Sequence, residues 1–154
     1  ETAEIHEKLA KTYLMLKNWD EAELASAKAL LRDRKNSWYH YLLARALKEQ
    51  GKYQAALTAA ETAISLSPKW VYYYFSLRAM ILERMGRYQE AIESYELAMA
   101  AAPQRYGYLV SIGDAYAKLN QVGKARDAYL KALKLSKDKS EVQEKLNRLG
   151  STKK

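Results

Sequence analysis

The side chains that enzymes most often use as nucleophiles, bases and metal ligands are scarce in this chain. It contains two histidines, His6 and His40, and no cysteine. No second ligand stands at a spacing suited to zinc, and the motifs H-E-x-x-H, G-x-x-x-x-G-K-S/T and G-x-G-x-x-G are absent. Carboxylates such as Glu83, Glu90 and Glu93 follow charged helical surfaces, where solvation is the ordinary explanation. We therefore expect no catalytic residue, metal site or cofactor, and we interpret both histidines as packing or boundary residues.

The formal net charge of +8 makes nucleic acid a ligand class to be weighed. Residues 124–154 hold ten of the 26 Lys and Arg residues and four of the 18 Asp and Glu residues, so most of the excess charge belongs to this end. The aromatic side chains are not interleaved with it. We interpret the basic end as a solvated helix surface, and nucleic-acid binding is the least expected function.

Composition also bears on the compartment. No apolar run approaches the roughly 20 residues of a membrane span, and no signal-peptide pattern opens the chain. The absence of cysteine favours a reducing compartment. We expect a cytoplasmic protein without membrane insertion, and a periplasmic or organellar location stays open. Because the first residue is Glu1 rather than Met, we expect a piece or processed product of a longer protein.

A pattern of one large residue followed three positions later by alanine returns four times. The pairs are Trp19/Ala22, Tyr53/Ala56, Tyr88/Ala91 and Val122/Ala125. Successive pairs are 34, 35 and 34 residues apart, which is the period of a helical repeat array. Apolar residues within each repeat follow the helical period, so each repeat is predicted to be a pair of helices. Such pairs cannot bury their apolar faces alone and must stack on their neighbours.

Turn residues and prolines set the boundaries of these units. We predict units at 3–36, 37–70, 72–105 and 106–139, a capping helix at 140–149 and a tail at 150–154. In the second unit we predict helices from Ser37 to Glu49 and from Tyr53 to Leu66. One extra residue, Val71, falls between the second and third units, where the array could kink. Gly51 and Gly86 interrupt two of the units, and Asn18 and Asn120 occupy the other turns, where a left-handed conformation is tolerated.

In this frame the units resemble the tetratricopeptide repeat (TPR), whose pattern is W-x2-L-G-x2-Y followed by A-x3-F, A and P. The fourth unit carries Leu109, Ile112, Gly113, Tyr116, Ala125, Tyr129 and Ala132 at these positions, and the third carries Phe75, Ala79, Leu82, Ala91, Tyr95, Ala98 and Pro103. The resemblance covers about residues 3–139. It implies an all-α fold, a right-handed α-solenoid of antiparallel helix pairs. Arg78 departs from the pattern, at a position that usually holds Leu, and we expect it to snorkel or to pair with a carboxylate.

The resemblance also implies a function and a site. In similar proteins the concave groove is lined mainly by the first helix of each pair, and a peptide or helix of another protein lies in it. The corresponding positions here are Lys8, Lys11, Trp38, Tyr41, Leu42, Arg45, Lys48, Tyr73, Leu77, Met80, Arg84, Asp114 and Lys118. Their aromatic and aliphatic members would supply apolar contacts, and Arg45, Lys48 and Arg84 would pair with carboxylates. We therefore expect a non-enzymatic interaction scaffold whose partner carries apolar anchors and some acidic residues.

Other interpretations remain open at this point. For Trp38, Tyr41 and Tyr73, packing between helices is as good an interpretation as ligand contact, and for Tyr72, Tyr74 and Phe75 packing is favoured. Self-association through the first unit or the aromatic-rich helices, giving a homo-oligomer, is the alternative function.

One known binding mode of the family is not expected here. Relatives that grip the C-terminal carboxylate of heat-shock chaperones place Lys and Asn in one first helix, Asn in the next, and Lys and Arg in the third. The corresponding positions here hold Glu7 and Lys11, then Leu42, then Tyr73 and Leu77. We therefore predict a groove without this clamp.

Overall fold

A computed structural model of the chain describes residues 2–136 and 139–151. The described residues form nine α-helices and no strand. The helices are α1 (Ala3–Met15), α2 (Trp19–Arg32), α3 (Ser37–Glu49), α4 (Tyr53–Leu66), α5 (Val71–Arg84), α6 (Tyr88–Ala101), α7 (Gly107–Lys118), α8 (Val122–Leu135) and α9 (Ser140–Ser151). No helix in these two ranges combines the length and the hydropathy needed to span a bilayer.

The helix bounds agree closely with the pattern in the sequence. The two helices predicted for the second unit are α3 and α4 with unchanged bounds. The last helix differs, because α9 continues through Gly150 to Ser151 instead of ending at Leu149; a glycine in a final turn weakens a helix without ending it. The remaining tail residues, 152–154, and residues 137–138 of the predicted fourth unit lie outside the described residues.

Helix contacts follow the order of the chain. Among the described residues the main contacts join each helix to the next, and smaller contacts join α1 to α3 and α3 to α5. A linear pattern of this kind is that of an α-solenoid, as predicted. Because α3 contacts both α1 and α5, and no two even-numbered helices of the described residues make comparable contacts, α1, α3 and α5 lie on the inner, shorter side of the curve.

The repeating alanines explain why neighbouring helices can approach so closely. All four, Ala22, Ala56, Ala91 and Ala125, are fully buried. Larger side chains from adjoining positions, such as Tyr74, Ile81, Leu82 and Ile92, fill the space between the helices. The core is therefore a layer between stacked pairs, and its buried residues divide into one large cluster and a smaller one between α7, α8 and α9.

The turn inside each pair has the same backbone conformation in all four units. The left-handed residues are Lys17 (φ 60°), Gly51 (φ 78°), Gly86 (φ 75°) and Asn120 (φ 57°). After each of them, an N–H donates to the carbonyl five residues earlier at 2.9 Å, from Asn18, Lys52, Arg87 and Gln121 to Tyr13, Leu47, Leu82 and Tyr116 respectively. This is the Schellman arrangement. The expectation that Asn18 occupies the left-handed position was wrong, because the shared repeat position belongs to Lys17.

The junction before the third unit differs from the others. Helix α5 begins at the extra residue Val71, and Trp70 before it is left-handed, with φ 60°. A bulky residue in this region is uncommon and carries strain. Trp70 also remains 57% exposed, so it lies next to α5 as an accessible aromatic surface.

A close approach of two helices in the fourth unit depends on glycine. Gly113 of α7 is buried, and a Cβ added to it would lie 2.4 Å from Cε1 of Tyr129 on α8, well inside van der Waals contact. Tyr129 is itself buried and donates a 2.6 Å hydrogen bond to Asp114. The ring therefore has little freedom to move away.

We expect Gly113→Ala to lower the free energy of unfolding by about 1–3 kcal/mol, because the added methyl group overpacks the contact with Tyr129. Gly123→Ala in α8 is the matched control, since nothing lies within 4 Å of a Cβ at that position. There, alanine's better helix propensity should leave stability unchanged or raise it by up to about 1 kcal/mol. Urea denaturation followed by circular dichroism measures both variants. Equal stability of Gly113→Ala and the wild-type chain would contradict this packing.

Candidate peptide-binding groove

Five aromatic side chains meet on the inner side of the array, and we call them the aromatic cluster: Trp38, Tyr41, Trp70, Tyr72 and Tyr73. Trp38 and Tyr41, one turn apart on α3, stack with ring centroids 4.7 Å apart. The ring of Tyr73 on α5 lies 6.2 Å from each of them. Tyr73 also contacts Tyr72, at 4.2 Å, and Trp70, at 6.2 Å. The cluster thus joins the second and third units across the groove.

Three cations from three different helical pairs or their linkers lie against these rings. Lys11 Nζ is 5.5 Å from the ring centroid of Trp38, and the Arg45 guanidinium is 5.7 Å from that of Tyr41. Arg105, in the linker before α7, lies 4.7 Å from the Tyr72 ring and 5.4 Å from the Tyr73 ring. These distances are in the range of cation–π attraction.

The cations differ in whether they have an acidic partner. Lys11 pairs with Glu7 of its own helix. In the described part of the chain, no carboxylate forms an ion pair with Arg45 or Arg105. Their partners among the described residues are tyrosines, Tyr41 for Arg45 and Tyr72 and Tyr73 for Arg105, so both charges can still pair with carboxylates brought by another molecule.

Several residues expected to line the groove have other roles. Leu42 is 0% exposed and Leu77 is 4% exposed, so they support the aromatic cluster from beneath and cannot contact a ligand. Tyr41 is 9% exposed and serves mainly as the stacking partner of Trp38. Arg84 points toward α4, where its Nε donates to the hydroxyl of Tyr53 at 3.1 Å.

The remaining expected residues are spread over several helices. Lys8 on α1 and Lys118 on α7 are exposed, and Met80 on α5 is 42% exposed. Lys48 forms a 2.7 Å ion pair with its neighbour Glu49. The pairing of Lys48 leaves Arg45 and Arg105 as the cations best placed beside the cluster.

Asp114 has partners that the spacing of motifs did not reveal. It accepts a hydrogen bond from Tyr129, and both its oxygens lie 2.8 Å from Nζ of Lys145 on α9. The capping helix thus reaches back to neutralise a carboxylate of the fourth unit. The sequence separation of 31 residues explains why no local pattern signalled this contact.

A cavity of about 660 Å³ opens between the third and fourth units. Its lining includes Met80, Glu83, Tyr95, Arg105 and Tyr108. Glu83 was expected to be solvated, but it is half-buried and accepts a 2.8 Å hydrogen bond from the Tyr95 hydroxyl. Burial raises the pKa of the Glu83 carboxyl above its ordinary value, and the nearby charge of Asp114 adds to this.

Arg78 and the two histidines, which depart from the repeat pattern, have partners or surroundings outside the groove. Arg78 binds Glu61 through Nε at 3.2 Å and Ser94 through a second nitrogen at 2.7 Å, so it pairs with a carboxylate as expected. His6 is buried, and a ring nitrogen of His40 lies 2.9 Å from the carbonyl oxygen of Arg34. Within the described ranges, no three His, Asp or Glu residues converge in a way that would hold a metal ion.

Comparison with solved structures gives the same fold. MamA of Desulfovibrio magneticus RS-1, from residue 41 to its end, is 22% identical over 96% of this chain and 83% of its own length, with a TM-score of 0.85. Another crystal structure of MamA is 27% identical over 95% of this chain and 81% of its own, with a TM-score of 0.79. A thermophilic TPR protein from Thermus thermophilus is 17% identical, covers 97% of this chain and 81% of its own, and has a TM-score of 0.78.

Comparison at the level of sequence families assigns the repeat. Curated protein sequences gave no match. The family model for the N-terminal TPR repeats region of psidin matches residues 45–148, which is more than half of the chain. The fold is accordingly the right-handed TPR superhelix, which is known as a scaffold for protein–protein interactions. With its four periodic turns, its stacked antiparallel pairs and this match, the chain belongs to the tetratricopeptide-repeat family.

Proposed function

We propose that this chain binds a segment of a partner protein in its concave groove, across the aromatic cluster. The supporting observation is the meeting of Trp38, Trp70 and Tyr73 from neighbouring units, with part of each residue accessible. Tryptophan and tyrosine bury large rigid areas at small entropic cost and dominate binding energy at many interfaces. The segment would lie along α3, α5 and α7 and place apolar side chains on these rings.

The cations beside the cluster indicate the chemistry of part of that segment. Arg45 and Arg105 are held against rings and are not paired with carboxylates of the described residues. Acidic side chains of the partner would complete both sites with charge-assisted hydrogen bonds. The clamp for a chaperone C-terminus is not part of this proposal, because Leu42 and Leu77, at two of its positions, are buried.

Charge reversal tests the proposal without knowledge of the natural partner. Peptides are first selected on the immobilised wild-type chain from a random library displayed on phage. We expect Arg45→Glu combined with Arg105→Glu to weaken the selected peptides about tenfold or more, by loss of hydrogen bonds to charged groups. Arg126→Glu, on the exposed surface of α8, is the control with the same type of change and should bind normally. Equal affinities for all three proteins would place the binding surface outside the groove.

Self-association through the first unit is a second candidate function. It is favoured by exposed apolar side chains on α1 and α2, among them Ile5, Leu9, Leu24 and Leu31. A second copy covering them would remove their apolar surface from water. Sedimentation equilibrium over a range of concentrations distinguishes the two candidates, since a strict monomer excludes this one.

A further inference from the structure

The cavity between the third and fourth units is continuous with the aromatic cluster. Arg105 lines the cavity and lies against Tyr72 and Tyr73 of the cluster, so a segment bound on the cluster passes the mouth of the cavity. Inside, the rings of Tyr95 and Tyr108 stack at 6.2 Å, and Met80 gives one wall a flexible apolar side chain. The cavity is large enough for one long side chain.

Glu83 places a negative charge in this cavity, and Arg105, the cation that also lines it, forms no ion pair with Glu83. The Glu83 carboxylate accepts a 2.8 Å hydrogen bond from the Tyr95 hydroxyl. No cation among residues 2–136 and 139–151 forms an ion pair with it, and the other charge acting on it is the negative charge of Asp114. A half-buried carboxylate without a cationic partner is unfavourable, because it has lost water and gained no opposite charge.

The fourth unit shows how a similar arrangement is completed. Tyr129 occupies the repeat position of Tyr95, 34 residues later, and it also donates to a carboxylate, that of Asp114. The two carboxylates do not share a repeat position, since Asp114 comes about one helical turn earlier in α7 than Glu83 does in α5. There an ammonium group is present, since Nζ of Lys145 lies 2.8 Å from both Asp114 oxygens. Lys145 comes from α9, outside the fourth unit. Within the described part of the chain, the third unit has the tyrosine and the carboxylate but not the ammonium.

We propose that this cavity receives a lysine or arginine side chain of the partner segment, with Glu83 as its counter-ion and the tyrosine rings as its walls. The bound cation would pair with Glu83, to which Tyr95 donates, in the way that the Lys145 ammonium pairs with Asp114, to which Tyr129 donates. The ring faces add cation–π attraction to the ion pair. This inference rests on the proposed function, and it makes the partner segment acidic beside Arg45 and Arg105 and basic where it passes Glu83.

A double-mutant cycle tests the pairing with peptides selected on the wild-type chain. We expect these peptides to share one Lys or Arg, and its replacement by Gln to weaken binding to the wild-type chain about tenfold. The same replacement should not change binding to Glu83→Gln, because the partner charge is already gone. Glu93→Gln on the exposed surface of α6 is the matched control and should behave as the wild type.

Two further measurements, of stability and of dependence on Trp38, distinguish a failure of the cavity proposal from a failure of the proposed function. Glutamine keeps an oxygen that can accept from Tyr95, and since burial raises the pKa of Glu83, a neutral side chain there should not lower stability at neutral pH; urea denaturation checks this. If the selected peptides lack a shared cation, or if its removal weakens binding equally to the wild-type chain and to Glu83→Gln, the cavity proposal is overturned. If those peptides still depend on Trp38, the proposed function stands without the cavity; if they do not, both fail.

Discussion

Leu42→Ala is expected to lower the free energy of unfolding by about 2–5 kcal/mol while leaving the peptide affinity of the folded protein nearly unchanged. Leu42 has no exposed surface and packs in the larger of the two core clusters, beneath the aromatic cluster. Its truncation removes apolar burial and leaves a cavity between α3 and its neighbours. Urea denaturation measures the first effect, and titration with a selected peptide at low temperature, where the variant remains folded, measures the second.

The control for this substitution is Leu130→Ala on α8, where the side chain is 43% exposed and the expected loss is below about 1 kcal/mol. The groove model built on sequence positions alone would predict the opposite behaviour for Leu42, with a large loss of binding and a small loss of stability. That result would return Leu42 to the binding surface and contradict the burial described here.

Trp38→Ala is expected to have the largest effect on binding, a loss of at least about 2 kcal/mol, or roughly thirtyfold in affinity for a selected peptide. Trp38 is only half-buried, and it is stacked on Tyr41 and covered from one side by Lys11. Its removal deletes the central contact area and frees Tyr41 to move. Isothermal titration calorimetry measures the change.

Trp38→Phe provides the graded comparison, because it retains a ring of smaller area at the same place. We expect an affinity between those of the wild-type chain and Trp38→Ala, with a stability close to that of the wild type. An affinity of Trp38→Ala equal to that of the wild type would show that the accessible face of this ring is not a contact surface.

The sequence was informative wherever a feature repeats with the period of the array. The left-handed glycines at Gly51 and Gly86 and the buried alanines recur because every unit must make the same turn and the same close helix contact. Lys17 shows the limit of this reasoning. Lysine has no preference for the left-handed region, so the neighbouring Asn18 gave a stronger but misleading local signal.

Positions in the repeat were less informative about which groove residues remain accessible. Leu42 and Leu77 occupy lining positions in related proteins, yet the spacing of stacked pairs in this chain buries them. Arg84 is withdrawn to Tyr53, a residue 31 positions earlier in another pair. Such contacts depend on how closely two units are stacked. A pattern of residue types along the chain does not predict that spacing.

The cavity at Glu83 shows the same limit. A glutamate among charged neighbours on a helix is ordinarily solvated, and only the stacking of Tyr108 and the reach of Tyr95 from α6 enclose this one. The contrast with Asp114 is likewise three-dimensional, because Lys145 of α9 pairs with Asp114 and no cation of the described residues pairs with Glu83.

The most direct test of groove binding is an NMR cross-saturation measurement on the isotope-labelled chain with a selected unlabelled peptide bound. Saturation of the peptide should be transferred to amides and side chains of α3, α5 and α7, most strongly at Trp38 and Tyr73. Helices α2, α4, α6 and α8 should be unaffected on their outer faces. Transfer confined to those outer faces would contradict the account, because the partner would then lie on the convex side of the array.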